Sequence, residues 1–332
     1  MITRDEAFKI CDTLLAHAKS AGAEDASISV NGSVEAYARF ADNRVTTSGR
    51  AENLAITTTV WVDGRRGSIS GNDTGADALK QMAEDAVQIA RVSPVHREYV
   101  PTLGPVDYPE SGGFSESTAD VNVDARASAL LSALEACRRE QVIGAGFHIA
   151  TASARAVATA SGNRQYFRSG IGRFSMTART TDGTGSGYYA GDHFDLTRLD
   201  VRQIAEQAVT KAVRSQAPKA IEPGTYSVIL EPQAVADMLG FLGNALDARS
   251  AEEGRSAFAA KDGKTRVGEK MFSERIRLYS DPQHPELPAV PATDEGIAAT
   301  RLPLISNGML ENLEYSRYWA QQRKRQPTPG PV

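Results

Sequence analysis

The chain holds only two cysteines, Cys11 and Cys137, in 332 residues. Each sits among apolar neighbours in a predicted helix, which argues against a disulfide scaffold or a cysteine-built metal site and fits a reducing compartment. Histidine is scarce too: His17, His96, His148, His193 and His284 show no zinc-ligand spacing, and no His-Glu-x-x-His occurs. No serine lies in a Gly-x-Ser-x-Gly context. No apolar run approaches the ~20 residues that span a bilayer. The opening MITRDEAFKI carries acids where a signal peptide would be apolar. The expectation is a cytoplasmic protein with no membrane partner. An excess of one charge is also missing. The net charge of −4 offers polyanions no general attraction, so nucleic acid is not the expected partner.

What is present is a pattern that occurs twice. Thr3 and Glu6 form a capping box before a helix with Ala7, Ile10, Cys11, Leu14, Leu15 and Ala18 on one face. Strands follow at Ala26–Val30, Glu35–Phe40 and Leu54–Val62, then the hairpin signal Asp63-Gly64 and a return strand over Gly67–Ser70. A helix with Leu79, Met82, Ala83, Ala86, Val87 and Ala90 inward ends near Pro94. After a Pro/Gly/Ser-rich stretch the order recurs. A helix bears Ala127, Leu130, Leu131 and Leu134, and strands run around Gly146–Thr151 and Phe174–Thr180. Asn163-Arg164 stands where Asn43-Arg44 stood, and Asp182-Gly183 where Asp63-Gly64 stood. The closing helix carries Val201, Ile204, Ala205, Ala208, Val209, Ala212 and Val213. This implies an α+β fold: a duplicated helix–antiparallel-strands–helix unit followed by a β-rich C-terminal region. The divisions are 1–97, a linker over 98–120, the repeat over 121–220, and 221–332.

The third region opens with an expected strand, Tyr226–Leu230, and a helix from about Pro232 to Leu246. Proline fits the first turn of a helix, where its missing N–H costs nothing. Val235, Met238, Leu239, Leu242 and Leu246 recur at helical spacing and are expected to face a core. A strand at Arg275–Tyr279 and a pair, Arg301–Ile305 and Met309–Tyr315, follow, the pair joined by the type I′ signal Asn307-Gly308.

Several groups invite a chemical reading. Gly183, Gly185 and Gly187 suggest a phosphate loop, but no helix follows them, so a hairpin is expected. His193 beside Asp192 and Asp195 suggests a metal cluster; a solvated loop is the simpler reading. Glu252-Glu253 and Asp294-Glu295 suggest acid–base pairs, yet neighbours in sequence usually point apart. Arg317–Arg325, with Tyr318 and Trp319 interleaved, suggests base stacking; a solvated basic tail is expected. Catalysis does not follow from these residues.

Several stretches together are familiar. YARFADNRVTTSGRAENLAITTTVWVDGRRGSISGND, EPGTYSVILEPQAVADMLGFL, EEGRSAF, TDEGIAATRLPLISNGMLENLEYSRYWA and RQPTPGP resemble the TldD/PmbA (TldE) family across nearly the whole chain. That family was labelled modulators of DNA gyrase and is regarded as peptidase-related. The resemblance implies, for TldD-type members, a His-Glu-x-x-x-His zinc motif on the helix after the strand, with a further cysteine and with the glutamate as general base. Here the corresponding stretch, near Leu239–Asn244, reads LGFLGN. The resemblance therefore points to the PmbA/TldE-type subunit, with no catalytic, cofactor-binding or metal residue carried over. Zinc is expected only in a partner subunit that bears His-Glu-x-x-x-His. The implied role is to complete a proteolytic chamber and bind unfolded peptide, as a heterodimer or by self-association. An enzyme with an atypical site, and a non-proteolytic protein acting on a topoisomerase or nucleic acid, are the alternatives. The family pattern continues past PTPGP, so the Asn307-Gly308 hairpin is expected to leave an open sheet edge.

Overall fold

In the computed structural model, residues 1–110 and 112–330 are described; Ser111 of the linker stretch and Pro331–Val332 of the tail lie outside the described residues. Helix α1 (Arg4–Ala21) starts at the expected capping box. The Thr3 hydroxyl accepts from the Glu6 N–H at 3.3 Å, and the Thr3 N–H donates to the Glu6 carboxylate at 2.9 Å. Gly22, at φ 102°, ends the helix in the left-handed conformation that glycine adopts without a Cβ penalty.

The strands are longer than hydrophobic alternation alone delimits. Ala26–Val30 and Glu35–Phe40 are one strand, β1 (Asp25–Ala41), which runs through Gly32. It turns at Asp42-Asn43, both at positive φ, into β2 (Arg44–Val62), and a second tight turn at Asp63-Gly64 leads to β3 (Arg65–Gly71). Helix α2 (Ala76–Val92) closes the first unit. The short helix α3 (Glu116–Ala119), α4 (Val123–Arg139), β4 (Val142–Thr159), β5 (Arg164–Thr180), β6 (Ser186–His193) and α5 (Val201–Arg214) build the second.

The two units share one sheet. Its order is β3-β2-β1-β4-β5-β6, with β1 and β4 antiparallel at the centre from Ser27 opposite Thr159 to Phe40 opposite Gly146. Each unit thus presents its first strand to the other, as an internal two-fold requires. Asn43 ties the halves further: its side chain donates to Val142 O (2.9 Å) and accepts from the Gly144 N–H (2.8 Å). Even-numbered residues of β1 face the helices. Ala26, Ile28 and Val30 join a core beneath α1 and α2, while Ala38 and Phe40 join one beneath α4 and α5. Cys11 and Cys137 are buried, one in each core, and burial raises their thiols to about 12 and about 11. Both are inert at neutral pH. Leu131, expected inward, is exposed, because the buried stripe of α4 runs through Leu130, Ala133, Leu134 and Cys137.

The opposite face of the sheet carries the linker. The buried Asp25 carboxylate accepts from the Tyr99 hydroxyl (2.9 Å), the Thr102 N–H (2.8 Å) and the Thr102 hydroxyl (2.6 Å). Asn163 donates to Gly104 O (3.0 Å). Such bonds give the irregular backbone the partners that regular structure would otherwise supply.

In the third region, helices α6 (Pro232–Ala245) and α7 (Ala248–Glu252) precede a small sheet of β7 (Leu278–Ser280), β8 (Leu302–Ser306) and β9 (Met309–Leu310). Asn307 and Gly308 both take positive φ, as the hairpin signal predicts. Beyond Leu310 the chain leaves the sheet, so the strand expected through Tyr315 is only two residues long. Helix α8 (Arg317–Arg323) follows. The core here gathers Leu246, Phe258, Leu304, Ile305, Leu310 and Leu313. Among the described residues no helix is long and apolar enough to cross a membrane.

Candidate functional site

Helix α6 forms where the sequence places it, with Glu231 as N-cap and Pro232 in the first turn. Its environment differs from the expectation. No residue of α6 is buried, and Met238 and Phe241 are 62% and 83% exposed. Its apolar anchorage is at the C-terminal end, with Leu242 and Ala245 against the third core and Leu246 within it, while at the other end the N-cap Glu231 pairs with Lys211 of α5. The preceding Tyr226–Leu230 is no strand: it pairs with nothing among the described residues, and Ile229 is 99% exposed. Helical periodicity reports that a face is apolar. It does not report what covers that face, and here nothing in the described chain does.

Across the stretch Leu239–Asn244 the helix presents no imidazole, thiolate or carboxylate. Asp237, one turn earlier, accepts from Gln233 at 2.9 Å. These residues do not fit a zinc ion, and no group of three or more potential ligand side chains gathers among the described residues.

Beneath the C-terminal end of α6, Asp247 and Glu314 lie side by side. Glu314 N–H donates to Leu246 O at 2.8 Å and Ala248 N–H to Glu314 O at 2.9 Å. The Asp247 carboxylate caps α7 by accepting from the Ser250 N–H at 2.7 Å. Burial, and then the Asp247 charge, push the Glu314 carboxyl up to about 7. This group exchanges a proton near neutrality, and the local stretch ENLEYS carries no sign of it, because the neighbouring Asp247 lies far away in sequence. A raised carboxyl pKa means the folded chain holds the proton more tightly than the unfolded one. Stability is therefore expected to fall as pH rises from about 4.5 through about 7, by roughly 1–2 kcal/mol once solvent screening is allowed for. Glu314→Gln should flatten that dependence in urea unfolding at pH 5 and pH 8; an unchanged slope would assign it elsewhere.

The other candidates fall into place separately. Gly183 lies in the β5–β6 turn, where the Asp182 carboxylate accepts from the Thr184 N–H (3.0 Å), while Gly185 and Gly187 pack against α5, so the phosphate-loop reading is excluded by geometry. His193 is not solvated: its side chain is only 11% exposed, stacked on Phe194 with centroids 4.5 Å apart. Its Nδ1 accepts from the Asp195 N–H at 2.9 Å, and Nε2 lies 3.6 Å from Glu286. Asp192 pairs with Arg173 at 2.7 Å. Asp195 is held down to about 2 by hydrogen bonds from Ser117 and Thr197. The three side chains face different partners and do not converge.

Glu252 and Glu253 also diverge, Glu253 to Arg249 and Arg255, and Glu252 into the interior. Glu295 accepts from the Arg317 N–H at 2.7 Å, while Asp294 faces Arg155 at 3.4 Å. The basic segment is exposed from Gln321 onward, as expected, but it is held against the chain. Arg317 donates to Pro101 O (2.7 Å), Arg323 to Glu252 (2.5 Å), and Arg325 lies over the Tyr315 ring. These cations are engaged within the chain, which removes them as a free phosphate-binding strip.

Comparison with known proteins agrees with this architecture. Residues 26–90 match the model for PmbA/TldA metallopeptidase domain 1, residues 116–216 the central domain, and residues 223–330 the C-terminal domain. A metalloprotease of Methanothermobacter thermautotrophicus is 26% identical over 134 residues, which is 40% of this chain and 28% of that protein's length. Among solved structures, a candidate modulator of DNA gyrase from Thermotoga maritima superposes with a TM-score of 0.86 at 19% identity, covering 98% of this chain and 74% of that one. TldE from Thermococcus kodakarensis gives 0.83 at 21% identity, covering 96% and 73%. With all three domain models matched in order along its length, the chain belongs to the PmbA/TldD family of metallopeptidase-like proteins.

Proposed function

We propose that this chain is the non-catalytic, TldE-like subunit of a two-subunit zinc metallopeptidase, walling a chamber and holding unfolded peptide for a partner that bears His-Glu-x-x-x-His. The observation that carries this reading is α6. It lies where family resemblance puts a zinc motif, it offers no ligand side chain over Leu239–Asn244, and it exposes Val235, Met238, Leu239 and Phe241 together. A contiguous apolar surface of this kind marks an interaction site more often than a solvated one. The stretch Tyr226–Leu230 that precedes it has unpaired backbone groups, and an unfolded chain can be gripped by strand addition to such a segment. A peptidase for unfolded chains needs enclosing walls as well as a metal, and this subunit supplies walls.

The test is reconstitution. The chain alone is expected to hold far less than one zinc after dialysis and to leave an unstructured casein-type substrate intact. Mixed with a His-Glu-x-x-x-His family subunit, it should form a complex that cleaves that substrate. Met238→Glu with Phe241→Glu should weaken that complex tenfold or more, since each change places a charge in an apolar contact. One tightly held zinc per isolated chain, or hydrolysis by the chain alone, would reject the reading.

A further inference from the structure

The second unit contains a cavity of about 340 Å³ at the N-terminal ends of α4 and α5, roofed by α3 and the 3-10 turn Leu196–Arg198. Its apolar walls are Val121, Ala129, Leu196, Leu199 and Val201. On the sheet side it is lined by His148 of β4. That imidazole is 2% exposed, and its Nδ1 is buried without a hydrogen-bond partner. Buried polar atoms are rarely left so, and each exception calls for an account.

The polar neighbours do not supply the missing partner. Ser117 and Thr197 both donate to Asp195, at 2.6 and 2.8 Å, and Asn122 is occupied in capping α4 by accepting from the Ala125 N–H. Phe174 backs the ring at 6.3 Å between centroids. The imidazole is neutral at physiological pH, because burial, and then the Arg126 charge, push it down to about 4. A neutral imidazole has one N–H donor and one bare nitrogen acceptor. A hydroxyl can answer either, since it both donates and accepts.

Charge selects against ions here. Arg126 is itself buried, donating to Tyr37 O and Gly49 O and forming no ion pair among the described residues, so a cation would meet a like charge. An anion would meet Asp120 at the rim and Asp195 behind the roof. The first unit has a cavity at the corresponding place, at the N-terminal ends of α1 and α2, but Glu6, Lys9 and Glu52 line it. The second copy alone combines apolar walls with an unanswered imidazole.

We propose that this cavity binds a small neutral molecule with an apolar body and a single hydroxyl, a simple phenol being the type, and that His148 recognises the hydroxyl. The site is separate from α6 and stands whether or not the subunit reading holds.

The probe is phenol, with toluene as its counterpart of the same shape lacking the hydroxyl. Calorimetry and the nitrogen resonances of the His148 ring would be followed on the full chain. Phenol is expected to bind saturably with a millimolar or lower Kd, to move the His148 resonances, and to outcompete toluene at least tenfold. His148→Phe should erase that preference. Ala129→Leu, which keeps the histidine and fills a wall, should abolish binding of both; it carries the test if His148→Phe does not fold. No saturable phenol binding, equal affinity for toluene, or unaltered binding in a folded His148→Phe protein would each overturn the assignment.

Discussion

Gly187→Ala is expected to destabilise the protein by roughly 2–4 kcal/mol, and Gly67→Ala by a similar amount. A Cβ at Gly187 would sit 2.2 Å from Ala208 O and 2.5 Å from Ala212 N on α5. At Gly67 it would sit 2.0 Å from Ala86 O and 2.5 Å from Ala90 N on α2. In both cases the obstacle is helix backbone, which cannot swing aside as a side chain can. The two glycines occupy matching places, on the return strand after each unit's Asp-Gly turn, and let a helix lie directly on the sheet. The control is Gly240→Ala in α6, where a Cβ meets nothing within 4 Å and alanine is the better helix former; it should be neutral or stabilising by ~0.5–1 kcal/mol. Urea unfolding of the three variants decides the matter. If Gly187→Ala and Gly240→Ala behave alike, the close approach is not what that glycine serves.

Loss of the Glu252 carboxylate should be felt at the far end of the third region. Its side chain is 9% exposed and accepts from the Tyr315 hydroxyl (2.8 Å), the Trp319 indole N–H (3.0 Å) and the Arg323 guanidinium (2.5 Å). Glu252→Ala would strand two buried or half-buried donors and leave Arg323 without its partner. The expected cost is about 2–4 kcal/mol, toward the lower end because Arg323 is 43% exposed and can rehydrate. Amide exchange should quicken across α8 while α1 and α2 keep their protection, since the first core makes no use of Glu252. Uniform exchange across the chain, or stability within 0.5 kcal/mol of the parent, would count against the hub. The same carboxylate holds the Tyr315 hydroxyl up to about 12, after burial as the larger cause.

Much of the architecture was legible because it rests on local rules. The Thr3/Glu6 box, the inward faces of α1, α2 and α5, and the turns at Asp63-Gly64 and Asn307-Gly308 each follow from residues within a few positions of one another. The duplication was legible for the same reason, being the same local grammar written twice. The strand ends were less so: β2 begins at Arg44, ten residues before the alternating segment, because pairing with β1 and not burial holds its exposed first half. The misreadings share one cause. Arg317–Arg325 looked unattached because its partners, Glu252, Glu295 and Pro101, lie 20 to more than 200 residues away in sequence. His193 looked like part of a loop because Glu286, which shields it, belongs to another region.

By itself, then, the sequence determined the α+β class, the doubled unit, its family, and the lack of zinc-ligand side chains over Leu239–Asn244, since each depends on residue identity and short-range order. The tertiary structure alone decided which apolar surfaces are covered. Val87 and Met238 are both apolar residues on periodic helices, yet one is fully buried beside α1 and the other is mostly exposed. Periodicity encodes an apolar face; only the packing of distant segments determines whether that face meets the chain's own core or stands open.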